Sequence, residues 1–413
     1  MSTFELAAVF LGLVALGGWV NVKTLHLPHA VAMLLVGLAG AGAVFALQLA
    51  RPDLAAGVTG AVQQIDFART VLSYMLAFLL FAGAMQVDLT ELRKRRLSIW
   101  TLATLGVLAT TAVVGGGVWF AARLLGIALP LPWALVFGAL ISPTDPIAVI
   151  ATVKRGYLSK TLQVVLQGEA LFNDGVGIVV FTALLAYATG ASPDVGQAAL
   201  SVVVQAAGGL ALGIVASLVV IRAMRAIDDF VVEVSLTLAL AMGVYAGAQA
   251  LHLSGPIAVV GAGLLIGDRQ AQGAASETTE AHLRSFWTLV DEILNALLFF
   301  MLGLQLVILP MQARLAGLCA AAVGLVLVSR FVVVLPWGAY LHRRLEQRHA
   351  SLILAWGGLH GALSLALALS VPDGPQRTVI LAVTYAVATF SVAVQGLTFA
   401  PFTAWLCRPR AAG

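Results

Sequence analysis

The sequence predicts an all-α polytopic membrane protein, and three observations support that prediction. Of the 413 residues, 61% are hydrophobic and only 10% are charged, whereas a soluble globular protein carries roughly 25% charged residues. The mean hydropathy is +0.99. Apolar segments of about 20 residues, the length that crosses a bilayer, recur along the chain. Thirteen transmembrane spans are predicted, at approximately 4–22, 28–49, 68–87, 98–122, 131–151, 162–188, 196–221, 231–250, 254–267, 285–309, 315–339, 350–371 and 378–405.

The N-terminus, the cysteines and the short ninth span fit this class. The N-terminal segment has an acid at Glu5 and no basic residue before its apolar run, so we interpret it as a first span and not as a cleaved signal peptide. Cys319 and Cys407 lie in or beside apolar segments and predict no disulfide framework. Only the pentapeptide LHLSG separates the ninth span from the eighth.

The charges between the spans predict the orientation. With the N-terminus outside, most of the 23 Lys and Arg residues fall in cytoplasmic loops, as the positive-inside rule requires, and the odd number of spans leaves the C-terminus in the cytoplasm. This loop charge explains the pI near 9.3, so we expect no nucleic-acid partner. The cytoplasmic basic residues are Lys23, Arg93, Lys94, Arg95, Arg96, Lys154, Arg155, Lys160, Arg222, Arg225, Arg269, Arg284, Arg343, Arg344, Arg348, Arg408 and Arg410, and the opposite loops hold Arg51, Arg69, Arg123, Arg314 and Arg377.

Two prolines predict a break in the fifth span, within ISPTDPIAVI. Because Pro143 and Pro146 lack an N–H, the carbonyls of Ala139 and Ser142 lose their helical donors. Irregular backbone at membrane depth is tolerated only where it lines a cavity or is buried in protein. The alternative is a simple proline kink with a solvated acid.

Such a break would present the Thr144 hydroxyl, the Asp145 carboxylate and bare carbonyls to a cation, and hard cations prefer oxygen ligands. A second interrupted segment, WGGLHGALS at residues 356–364, lies seven spans later. Matching broken helices indicate an inverted-repeat transporter with a site near the midplane. The alternative is that these glycines only allow helices to pack closely.

The sixth span places Glu169, Asn173 and Asp174 inside an apolar segment, where ionisable residues are costly and usually functional. On a helix Asp174 lies about 140° from Glu169, so the two acids face different partners. Gly175 and Gly177 are expected to leave room beside Asp174. We assign Asp174 as an exchange site that holds either a proton or a metal ion.

Glu169 is expected to form a structural ion pair with Arg330, which lies in the middle of the eleventh span and needs an anion. The other candidate partner is His360, although a guanidinium suits a buried bidentate pair better than an imidazole does. His360 has two further interpretations: it titrates as a pH sensor, or it hydrogen-bonds a carbonyl freed by the glycine break.

Three more acids, Glu233, Asp291 and Glu292, lie near the predicted cytoplasmic face. They predict either a mouth that attracts cations or ordinary interfacial charge. Asn295 lies one turn beyond Asp291 and predicts an interhelical hydrogen bond.

Five segments of the sequence together resemble the cation:proton antiporter-1 family, which includes bacterial sodium/proton antiporters and the animal exchangers. The segments are ALISPTDPIAV, GEALFNDGVGIVVF, GPIAVVGAGLLIG, the Arg-x-Phe-Trp stretch with its later Asn at residues 284–295, and WGGLHGALSLALALSVP. The resemblance implies one membrane domain with thirteen helices and discontinuous helices five and twelve. The domain would consist of two inverted six-helix repeats, at about 4–188 and 231–405, joined by a linker helix at about 196–221. Core helices at about 98–188 and 315–405 would move against a dimerisation scaffold.

The resemblance also implies the roles of the site residues. Asp174 would bind the ion and the proton, and Thr144 and Asp145 of the unwound fifth span would bind Na⁺ with it. Asn173 stands where the electrogenic branch has a second aspartate, so one cation per proton is predicted. The remaining residues carried over are the structural pair Glu169 and Arg330, with His360 and Ser142 as accessory positions.

Three positions depart from the family pattern. His360 stands where the family usually has arginine, and Ala170 where many members have a hydroxyl residue. Ala82 precedes the glycine of the third span, where many members have an acid. Because fewer side-chain oxygens remain, backbone carbonyls or water must complete the shell of the ion.

The leading functional hypothesis is electroneutral exchange of Na⁺, or Li⁺, for H⁺ by alternating access, serving pH homeostasis. We expect a non-enzymatic homodimer without a cofactor in the plasma (inner) membrane, with the bilayer, the cation and the proton as its other partners. K⁺/H⁺ exchange is the alternative, since both ions take oxygen ligands. A remote alternative from another class is an intramembrane aspartyl protease that uses Asp145 and Asp174. Against it, neither stretch has the Gly-x-Gly-Asp arrangement that such proteases carry.

Overall fold

The computed structural model describes residues 3–63, 66–145, 158–191, 195–271, 277–307, 312–345 and 349–407. Across these ranges the chain is helical and has no strand. The described helices are α1 (Thr3–Val20), α2 (His29–Ala50), α3 (Pro52–Gln63), α4 (Phe67–Met85), α5 (Leu89–Lys94), α6 (Arg96–Leu124), α7 (Leu131–Ile141), α8 (Lys160–Ala188), α9 (Val195–Met224), α10 (Phe230–Ala250), α11 (Gly255–Ala271), α12 (Glu277–Leu304), α13 (Ala316–Leu345), α14 (Ala350–Gly357), α15 (Ala362–Leu369) and α16 (Pro375–Leu406).

Within the described residues, 10 helices are long and apolar enough to cross a membrane, compared with the thirteen predicted spans. The predicted fifth and ninth spans correspond to the shorter apolar helices α7 and α11. The twelfth span is divided into α14 and α15. The chain is thus a multi-pass, all-helical membrane protein, and its short or interrupted helices are those in which proline or glycine disturbs the apolar pattern.

The fifth predicted span is interrupted, and the eighth and ninth are separate helices. α7 ends at Ile141, as Pro143 requires, whereas Pro146 and the rest of the predicted span lie outside the described residues. α10 and α11 are separate helices, because the chain turns at His252, whose φ is 55°. Of the predicted cytoplasmic basic residues, Lys154, Arg155, Arg348, Arg408 and Arg410 also lie outside the described residues.

Two short helices were not predicted, α3 and α5. Asp88 begins α5 as an N-cap: its Oδ1 accepts hydrogen bonds from the backbone N–H groups of Thr90 at 2.9 Å and Glu91 at 3.1 Å. Such caps satisfy the free donors at a helix N-terminus. The six-residue α5 thus connects α4 to α6 without a span of its own.

The helices form two sets with extensive contacts inside each. In one set α11 packs against α4, α9 and α10, while α12 packs against α2 and α4. In the other α6 packs against α7 and α13, while α8 contacts α7 and α14 contacts α13. The close contact between α2 and α12 depends on Gly303, where a Cβ would lie 2.6 Å from the Leu34 carbonyl oxygen. The site described next lies where the two sets meet.

Candidate ion-binding site

The two interrupted segments cross at their breaks. The backbone N–H of Asp145, just after α7, donates a 2.7 Å hydrogen bond to the Leu359 carbonyl between α14 and α15. The His360 ring contributes a second link, because its Nδ1 lies 3.1 Å from the Pro143 carbonyl oxygen. A carbonyl can only accept, so Nδ1 carries the hydrogen. Backbone groups released by one break are therefore satisfied by the other, as buried polar groups must be.

Ser142 supplies hydrogen-bond donors to a free backbone carbonyl at the C-terminal end of α7. The Ala139 carbonyl loses its helical donor at Pro143, but it accepts hydrogen bonds from the Ser142 N–H at 3.2 Å and from the Ser142 Oγ at 2.8 Å. The sequence predicts a bare carbonyl here, but the Ala139 carbonyl has two hydrogen-bond donors in the structure. The Ser142 hydroxyl is buried and engaged with the backbone of its own helix end.

Asn173 ties α8 to the first break. Its Nδ2 donates a 2.8 Å hydrogen bond to the Thr144 hydroxyl, and its Oδ1 accepts one at 3.4 Å from the Thr144 N–H. Both residues are buried. Asn173 therefore positions Thr144, and the Thr144 oxygen keeps a lone pair for another partner.

Asp174, the next residue of α8, faces a cavity of about 120 Å³. Thr144 and Asp145 line the same cavity, so the structure brings together three of the residues predicted to bind the ion. The Asp174 carboxylate is half-buried. The further polar residues that line this cavity are Gln86, Gln167, Asp291, Asn295 and Ser364.

Gly175 and Gly177 do not leave space beside Asp174, so that expectation was wrong. A Cβ on Gly177 would lie 2.5 Å from Pro143 Cγ, and a Cβ on Gly175 would be crowded by the Ile257 side chain of α11. The two glycines instead let α8 approach the broken segment and α11 closely. The room beside Asp174 comes from the gap between the two sets of helices.

Glu169 and Arg330 form a buried ion pair between α8 and α13. Both terminal nitrogens of the guanidinium donate to the carboxylate, with Nη2 at 3.0 Å from Oε2. The exposed fractions are 1% for Glu169 and 7% for Arg330. Arg330 also packs on Gly358, where a Cβ would come within 2.9 Å of the guanidinium carbon. The pair therefore joins α8, α13 and the second break.

His360 does not take part in this pair, and the carbonyl that its ring contacts is that of Pro143 in the first break, not one from the glycine break. Its backbone N–H donates to Ser391 Oγ at 2.9 Å, and Ser391 donates to Gln395 Oε1 at 2.7 Å. Gln395 then reaches the Trp356 carbonyl at 3.4 Å. Sequence reasoning missed Ser391 and Gln395, although two polar residues four apart in an apolar span were a visible signal.

The acids near the predicted mouth differ in their surroundings. Asp291 is half-buried and lines the cavity, whereas Glu292 is exposed. Glu233 is buried, with 2% of its surface exposed. The prediction for Asn295 was wrong, because its Nδ2 donates to Asp291 Oδ1 at 2.9 Å within α12 and not to another helix.

Discontinuous helices that meet beside an intramembrane carboxylate are typical of secondary transporters. Residues 11–405 match the family described as sodium/hydrogen exchanger, transmembrane. The chain is 42% identical over 404 residues to the Na⁺/H⁺ antiporter NhaP of Pseudomonas aeruginosa, covering 96% of this chain and 95% of that protein. It is 34% identical to the Na⁺/H⁺ antiporter NhaH of Halobacillus aidingensis, covering 92% of each chain.

The chain therefore belongs to the transmembrane sodium/hydrogen exchanger family. The resemblance proposed from the sequence is confirmed, as is the prediction of a sodium/proton antiporter and not an enzyme. The fold is similar to the sodium proton antiporter MjNhaP1 from Methanocaldococcus jannaschii, with a TM-score of 0.74 and 19% identity over 99% of this chain and 100% of that one.

Proposed function

We propose that the chain exchanges one Na⁺ for one H⁺ at Asp174 by alternating access. The observation that carries the proposal is the shared cavity of Asp174, Asp145 and Thr144. Two carboxylates and a hydroxyl offer the oxygen ligands that a hard cation takes, with water to complete the shell. A proton on Asp174 removes the charge that holds the ion, so loading of one expels the other.

The neutral Asn173 supports a stoichiometry of one cation per proton. Its amide does not ionise near neutral pH, and both of its polar atoms are engaged with Thr144. Glu169 and Arg330 neutralise each other, so neither adds a charge to the transport cycle. On this proposal the net charge of the site is the same whether Asp174 holds Na⁺ or H⁺.

The architecture that we propose for this cycle has thirteen spans. Counting α7, α11 and the interrupted pair α14 and α15 as spans adds three to the 10 long helices. The repeats would then cover about 4–188 and 231–405. The set containing α6, α7, α8, α13 and α14 corresponds to the proposed moving core at about 98–188 and 315–405, and the other set to the scaffold. The contacts within each set support this division.

The same proposal includes a homodimer in a plasma membrane, with the N-terminus outside and the C-terminus in the cytoplasm, acting in pH homeostasis. The distribution of Lys and Arg supports the orientation. Exposed apolar side chains along α1 and α9 offer surfaces to lipid or to a second copy. K⁺ remains the alternative cation, because its ligands are also oxygens, but the named relatives are Na⁺/H⁺ antiporters.

The proposal is tested by cation-driven proton flux in proteoliposomes, followed with an internal pH dye. We expect flux with Na⁺ and Li⁺, and the same initial Na⁺-driven rate at zero and at an imposed membrane potential, because no net charge moves. A rate that follows the potential would contradict the one-to-one stoichiometry. Flux driven by K⁺ but not by Na⁺ would favour the alternative, and flux with none of the cations would refute exchange.

A further inference from the structure

The wall of the cavity beyond Asp174 is also polar. Asp291 and Asn295 reach it from α12, and Gln86 reaches it from the end of α4. The sequence had left Asp291 as either part of a mouth or interfacial charge. Its side chain instead lies half-buried in the cavity that holds Asp174, one residue before the exposed Glu292.

The Asp291 carboxylate is held in place with coordinating capacity left over. Asn295 Nδ2 donates to Oδ1 at 2.9 Å, which fixes the side chain against its own helix. A carboxylate has about four lone-pair sites on its two oxygens. The amides of Asn295 and Gln86 occupy at most two of these sites, so Asp291 can still bind a cation.

Gln86 contributes the third side chain of this wall. Its amide lies within hydrogen-bonding reach of the Asp291 carboxylate, although its buried Nε2 makes no well-formed hydrogen bond there. A side-chain amide carries both donors and an acceptor. Rotation about its terminal bond would therefore present Oε1 to a cation beside Asp291.

The charge of the cavity favours a cation over a bound anion. Among the described residues that line it, none is Lys, Arg or His, whereas Asp145, Asp174 and Asp291 all line it. The nearby Arg330 is engaged with Glu169. A narrow cavity with low-dielectric walls concentrates this negative potential.

We propose that Asp291, with Asn295 and Gln86, forms a second and transient binding site for the same monovalent cation, which the ion occupies before it reaches Asp174. This inference rests on the proposed function of Asp174. α4 and α12 belong to the set of helices proposed as the scaffold, and Asp174 to the core. The cation would thus pass from the Asp291 carboxylate on the scaffold to the Asp174 carboxylate on the core, and protein oxygens would bind it at both positions.

The test compares Asp291→Asn with Glu292→Gln, which removes the same charge one residue away on an exposed side chain outside the cavity. Na⁺-driven proton flux is measured in proteoliposomes at fixed pH, at low and high choline chloride. Asp291→Asn is expected to raise the apparent KM for Na⁺ about tenfold at both ionic strengths, with little change in the maximal rate. Asp291→Glu should recover most of the affinity, and Glu292→Gln should match the wild type.

Three outcomes would overturn the second site. One is an unchanged KM in Asp291→Asn. Another is an equal shift in both neutral variants that disappears at high salt, because that result means a long-range field and not a ligand. The third is a loss of maximal rate and melting temperature at constant KM, which identifies a structural role only.

The effect of Na⁺ on the melting temperature tests the second site separately from the proposed exchange function. A cation that binds only the folded protein raises its melting temperature. In an Asp174→Asn background, Na⁺ should still raise the melting temperature relative to choline, and adding Asp291→Asn should abolish that shift. If wild-type exchange depends on Asp174 but the Asp174→Asn variant shows no Na⁺ shift, the second site fails while the proposed function stands.

Discussion

Asp174→Asn is expected to reduce Na⁺-driven proton flux to the level of protein-free vesicles. The amide cannot take up or release a proton near neutral pH, and it offers no negative charge to the cation, so both halves of the exchange are lost. The side-chain volume is nearly unchanged, and the two hydrogen bonds between Asn173 and Thr144 do not involve Asp174. The variant should therefore insert and fold, and the pH dye assay in proteoliposomes measures the loss.

A matched control uses the same substitution at an exposed acid. Asp53 of α3 forms an exposed ion pair with Arg51, with side-chain exposures of 63% for Arg51 and 65% for Asp53. Asp53→Asn should retain the wild-type rate and the wild-type response to Na⁺. Proton flux that persists in Asp174→Asn at an equal reconstituted amount would show that the exchange site lies elsewhere.

The second large effect concerns stability and not ion affinity. Glu169→Gln and Arg330→Gln are each expected to destabilise the protein by about 3–5 kcal/mol, because removing one partner leaves a buried, uncompensated charge. The loss should appear as a lower melting temperature in detergent, with the apparent KM for Na⁺ little changed in the protein that survives. The pair joins α8, α13 and the break at Gly358, so its loss affects the whole core.

The double variant and a surface pair complete this experiment. Removing both charges should cost less than the sum of the two single substitutions, since residues in direct contact are not additive. Arg51→Gln and Asp53→Asn, at an exposed pair, should leave the melting temperature unchanged, because exposed ion pairs contribute little. Single variants at Glu169 and Arg330 that melt like the wild type would refute a stabilising role for the pair.

Much of the fold could be predicted because hydrocarbon is a simple solvent. A span must satisfy its own backbone hydrogen bonds, so a long apolar run indicates a helix, and Pro143 ends one at a predictable place. The pairing of Glu169 with Arg330 follows similar logic, since a permanent charge in the bilayer needs a counter-charge. The described structure places these two residues together.

The sequence could not give the contacts that depend on how helices cross. The hydrogen bond from Asp145 to Leu359 and the contact from His360 to Pro143 join residues more than 200 positions apart. No local pattern specifies such a pairing. The predicted interhelical hydrogen bond of Asn295 was wrong for a related reason. An amide one turn from an acid can donate to that acid within its own helix, and only the packing of the helices decides which partner it takes.

The place of Asp291 was also beyond the sequence. An acid in the first turns of a span is usually interfacial, and its position gives no indication that α4 and α12 form one wall of the cavity that holds Asp174. Depth along a helix can be read from the sequence, but the neighbour across a cavity is a property of the tertiary structure. For that reason the second cation site emerges only from the structure.

The central claim is that Na⁺ and H⁺ compete for Asp174, and the most direct test is the pH dependence of the apparent KM for Na⁺. Initial uptake of radioactive sodium is measured in proteoliposomes with equal pH on both sides. On the acid side of the profile, KM should rise about tenfold for each unit decrease in pH, as mass action requires for one proton competing with one cation, while the maximal rate at saturating Na⁺ stays constant. A KM that does not change with pH while the maximal rate falls would contradict competition at one carboxylate.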